Sequence, residues 1–138
     1  MSHPLHPALV HFPIACWSLA TIADVMSPWW GKPAWQLAGV LMAIGLVTAI
    51  AAMASGFVEL IKIDEANPAL RDGNRHMLFV IAAWTGYATS LFLRCQGMSL
   101  NAPGTLAITI SLAGFVCLGI AGWLGGKLVY QHGVGRTR

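Results

Sequence analysis

Four apolar stretches, residues 7–26, 33–61, 73–93 and 104–130, fill most of this chain, and their length decides what it can fold into. A hydrocarbon core about 30 Å thick is crossed by about 20 apolar residues in a helix, and a helix satisfies its own backbone polar groups where no water can. Each stretch meets that requirement. Short connections make neighbouring spans antiparallel. The expected fold is therefore all-α, a single domain over residues 1–138 built as an up-down-up-down four-helix transmembrane bundle.

Composition agrees, with 57% hydrophobic and 9% charged residues, whereas soluble domains are about a quarter charged. The formal charge of +3 does not point to nucleic acid, because the basic residues are scattered rather than gathered in a run. They report topology instead. If the termini share one face, that face holds Lys62, Arg71, Arg75, Lys127, Arg136 and Arg138, and the other only Lys32 and Arg94. An excess of Lys and Arg marks the cytoplasmic side, so both termini are expected in the cytoplasm, with a bacterial inner membrane as the bilayer. The leader "MSHPLHP" carries no Lys or Arg, so the first span is expected to remain as an anchor rather than be cleaved. Cys16, Cys95 and Cys117 lack CxxC spacing, which excludes both a disulfide framework and CxxCH haem attachment.

Pro7 suits a first helical turn, whereas Pro13 lies within the span and frees the carbonyl of Leu9, which predicts a bend beside His11. Asp72 or Asn74 is placed to cap the third span. No long internal repeat, phosphate-binding glycine loop or nucleophile motif stands out, and no substrate-level catalytic motif is present.

The polar residues collect at one end. His3, His6 and His11 open the first span, Glu59 closes the second, His76 opens the third and His132 follows the fourth. His11 stands four residues past Pro7 and His76 three past Gly73, about 6 Å and about 4.5 Å along their helices. The first and third helices of such a bundle are parallel and diagonal, so these imidazoles can face one another across its axis. That is the arrangement a bis-histidine b-type haem requires, one axial ligand from each side of the ring. Ala15, Ser18, Val80 and Ala83 leave room beside them, and Arg71, Arg75 and Lys62 are near enough to hold propionates. The expected function is electron transfer, with a quinol or a redox protein as partner.

Two other readings compete. His6, His11, His76, His132 and Glu59 can serve as a Zn or other transition-metal site for binding or transport, although His6 and His11 converge only if His6 lies in a non-helical lead-in. Alternatively the histidines only bond neighbouring helices, in a cofactor-free structural subunit whose self-association into a homo-oligomer stays open. His3 and His132 read as solvated. Asp24 falls near the opposite face, paired with Arg94 or Lys32, and Trp17, Trp84, Trp123 and Tyr87 read as packing residues.

"HPALVHFPIA" at the start, "RHMLF" opening the third span and "GWLGGKLVYQHGVG" at the end together resemble the DUF2231 family of small predicted membrane proteins, over essentially the whole chain. The resemblance implies a four-helix membrane domain in which His6, His11, His76 and His132 fall within recurring motifs. It implies no particular activity.

Overall fold

The computed structural model describes residues 5–135. A short helix α1 (Leu5–Leu9) leads into α2 (His11–Trp30), followed by α3 (Lys32–Leu60), α4 (Ala69–Arg94), the strands β1 (Cys95–Gln96) and β2 (Ser99–Leu100), and α5 (Thr105–Tyr130). Four helical segments are long and apolar enough to cross a membrane: His6–Trp30, Lys32–Leu60, Ala69–Arg94 and Thr105–Tyr130. The expected up-down-up-down bundle is the fold. It is an integral membrane protein.

Local chemistry explains the boundaries. Pro13 has no N–H for the carbonyl of Leu9, and the helix is interrupted nearby at Val10, between α1 and α2. Gly31 separates α2 from α3 at φ +65°, a conformation other residues rarely adopt, and Pro33 then starts α3 where a missing N–H costs nothing. The third span begins earlier than its expected caps imply. Asn67 Oδ1 accepts the Ala69 N–H at 2.9 Å, so Asp72 and Asn74 lie inside α4. The β1–β2 hairpin, absent from the sequence reading, turns at Gly97 (φ +60°) and pairs Cys95 with Leu100 and Gln96 with Ser99.

Around the bundle α2 packs on α3, α3 on α4, and α4 on α5, with α5 returning to α2. The diagonals are therefore α2 with α4 and α3 with α5. Large inward residues sit on the first diagonal, notably Trp17 and Tyr87, and small ones on the second, including Ala38, Gly45 and Ala52 on α3 and Ala107, Gly114 and Ala121 on α5. Small residues let the backbones of α3 and α5 close around the larger side chains. Leu19, Val47, Phe92 and Val116 point outward, where lipid tails receive them without penalty.

Candidate functional site

Three pairs of side chains meet across the α1/α2–α4 diagonal. His6 and His76 stand edge to face with ring centroids 6.3 Å apart. Trp17 stacks on Tyr87 at 4.9 Å, and Asp24 takes a bidentate ion pair from Arg94 at 2.7 and 2.9 Å. Partners in every pair are separated by 70 residues. Down each helix the spacing is eleven residues and then seven. At about 100° per residue, eleven residues return to within about 20° of the starting face, so each helix carries its three groups on one inward stripe.

The other two helices repeat the scheme with an offset one residue shorter. Gly45 lies against the Trp17 indole and Gly114 against the Tyr87 ring; three turns on, Gly56 lies against His6 and Gly125 against His76. A Cβ on Gly56 would come within 2.7 Å of His6 Cε1, and one on Gly125 within 3.2 Å of His76 Cε1. Residues 6–60 and 76–130 thus share one contact plan. The chain contains an internal repeat after all, hidden from the sequence because the paired residues differ in kind: Trp with Tyr, Asp with Arg.

Each imidazole is held in the same way. His6 Nδ1 bonds the carbonyl of Ala52 at 2.9 Å, with Ser55 Oγ at 3.3 Å, and His76 Nδ1 bonds the carbonyl of Ala121 at 2.8 Å. A carbonyl can only accept, so Nδ1 carries a proton in both rings, and it is Nε2 that holds the lone pair whenever the ring is neutral. This is the arrangement by which proteins prepare a histidine as a metal ligand. Both rings line a cavity of about 410 Å³ that reaches from Trp17, Pro13 and Val80 to Glu59, Tyr130 and Gly135. Its walls are mainly apolar.

Residues 2–138 match a family model described as a predicted membrane protein (DUF2231). The chain belongs to the DUF2231 family. No curated protein and no solved structure matches it.

Several DUF2231 motif residues stand apart from where the sequence reading placed them. His11 is exposed at the start of α2 and does not line the cavity; the imidazole that meets His76 is His6. Depth along the helix is only half of the geometry. His11 is five residues from His6, about 140° around an ideal helix axis, and its side chain is exposed. Gly73 is also not the start of the third helix, which places His76 deeper than the spacing suggested. Arg71 and Arg75 are exposed in a separate surface groove with Glu65, Asn67 and Asn74, and Lys62 is exposed beyond the end of α3. Glu59 does line the cavity.

His132 is not simply solvated. It bonds Asp72 Oδ2 through Nε2 at 3.0 Å, beside Lys127 Nζ at 2.8 Å on the same oxygen. Among the described residues, no three His, Cys, Asp or Glu side chains are grouped to hold a metal ion. His3, Arg136 and Arg138 lie outside the described residues. At the far end Asp24 pairs with Arg94, as expected, and not with Lys32. The sequence did contain a signal for His6: it lies eleven residues before an inward aromatic and eighteen before a charge, as His76 does.

Proposed function

We propose that His6 and His76 are the axial ligands of a b-type haem and that the protein carries electrons within the membrane, from a donor such as a quinol or to a second redox protein. The observation that carries this reading is the imidazole pair. Two rings that share one iron, each with a metal–nitrogen bond of about 2 Å, place their centroids about 6 Å apart, against 6.3 Å between His6 and His76. The carbonyls of Ala52 and Ala121 leave both Nε2 atoms free for it.

The donor count supports a haem over a bare ion. A porphyrin supplies four nitrogens and asks the protein for two axial ligands, while a structural Zn site asks for four donors and a catalytic one for three. A cavity of about 410 Å³ falls within the usual range for small-molecule sites, about 300–1,000 Å³, and its apolar walls suit a macrocycle. When bound, the haem supplies one-electron chemistry. The protein's part is ligation, orientation of both rings through Nδ1, and exclusion of water.

Absorption spectra of detergent-purified protein, oxidised and reduced, test this. We expect the spectrum of a six-coordinate low-spin haem in the wild type, its loss in His6→Ala and in His76→Ala, and its retention in His11→Ala. A protein that stays colourless after expression with sufficient haem, or one whose spectrum depends on His11 and not on His6, sinks the proposal.

A further inference from the structure

The two imidazoles are held alike in one respect and unequally in another. Each gives its Nδ1–H to a main-chain carbonyl, that of Ala52 for His6 and that of Ala121 for His76. Among the described residues, His6 alone has a second partner at this nitrogen, Ser55 Oγ at 3.3 Å. A serine hydroxyl has one proton to give, and Ser55 gives it to the carbonyl of Ala52 at 2.8 Å. Toward His6 it therefore presents lone pairs, and one N–H faces two acceptors.

The second half of the repeat has no such group. Counted by the offset that matches Ala52 with Ala121 and Gly56 with Gly125, Ser55 corresponds to Leu124, a buried apolar side chain. Packing of the repeat therefore does not demand a hydroxyl at this place. Ser55 already satisfies its own proton within α3, as serines in helices commonly do, so it does not need His6 as a partner. Nor is Ser55 among the residues that line the cavity; it meets a ligand there only through the imidazole.

We propose that Ser55 is a positioning residue that makes His6 the stronger of the two axial ligands and so lowers the reduction potential of the bound iron; the inference rests on the haem reading above. An acceptor drawing on Nδ1–H returns electron density to the ring, and Nε2 becomes a better donor to the metal. A better donor favours the ferric over the ferrous state, and hydrogen bonds behind the axial ligands are one of the means by which a protein sets such a potential. The two halves of the repeat thus supply ligands that are alike in kind and unequal in strength.

Haem-loaded protein in detergent is titrated potentiometrically, wild type beside Ser55→Ala and the matched pair Ser55→Thr and Ser55→Val, which differ in the hydroxyl and little in volume. Alanine suits a helix better than serine, so the first variant does not put the fold at risk. We expect Ser55→Ala and Ser55→Val to move the reduction equilibrium about three- to tenfold toward the ferrous state, about 30–60 mV at about 59 mV per tenfold. The low-spin absorption spectrum should be kept, and Ser55→Thr should stay close to the wild type. In the apoprotein, at a pH where both rings are neutral, the Nδ1–H proton NMR signal of His6 should move in Ser55→Ala while that of His76 stays. Unchanged or lowered potentials in both hydroxyl-free variants, or a His6 signal indifferent to Ser55, overturn the role of Ser55 and leave the bis-histidine site standing. Protein that binds no haem overturns the haem reading, and the tuning of the iron with it.

Discussion

At the scale of single residues, the far end of the bundle is held by charge. Asp24 and Arg94 are each 1% exposed, Ser90 Oγ and the Ser90 carbonyl also receive Arg94 donors, and Ser111 donates to Asp24 Oδ2 at 3.2 Å. With each nitrogen of Arg94 and each carboxylate oxygen of Asp24 bonded, the pair is tolerable in a medium that disfavours ions. Removing one partner strands the other. Arg94→Met should cost about 3–5 kcal/mol, read as a lowered midpoint of thermal unfolding in detergent. The double variant Asp24→Leu/Arg94→Met should recover most of that loss, since a neutral apolar pair needs no compensation; a double variant no more stable than Arg94→Met would refute this account. The sequence made this pair legible because a charge near each helix end on the same face has few alternatives. It did not make the His6–His76 pair legible, because His6 and His11, close together at one helix start, differ chiefly in their surroundings: His6 lines the cavity and His11 is exposed.

Elements meet through glycine. On α3 a Cβ at Gly45 would run into the Trp17 indole, while on α5 a Cβ at Gly119 would meet open space. Gly45→Ala should therefore destabilise by about 1–3 kcal/mol through overpacking, and Gly119→Ala should be neutral or stabilising by up to about 1 kcal/mol through helix propensity. Thermal midpoints of the two variants measured side by side check the contrast, and equal effects would show that α3 does not close on the aromatic pair as described. Some glycines of α3 and α5 pack tightly and others do not. Which glycines do so depends on the indole and phenol rings opposite, and those come from other helices.

At the scale of the molecule, two helix pairs with one contact plan enclose a site to which each contributes one imidazole. The segment between them includes the exposed residues Asp64, Glu65, Ala66 and Asn67, while the halves also pack on one another through α3 with α4 and α2 with α5. Chains cut between Glu65 and Ala66 and co-expressed should copurify and unfold as one unit, because helices inserted separately still find their packing partners in the bilayer; failure to copurify would show that the linker carries the assembly. The sequence by itself determined the four spans, their alternating direction and the gathering of histidines at one end. These follow from local physics, since about 20 apolar residues in lipid must close their hydrogen bonds within one helix. Only the tertiary structure decided that His6 rather than His11 meets His76, and that Lys127 and His132 meet on one oxygen of Asp72. The rotation of each helix about its own axis is set by what it packs against: the break at Val10, the Trp17–Tyr87 stack and the Asp24–Arg94 pair together turn one face of α1 and α2 toward α4, and that choice is made between helices, not within them.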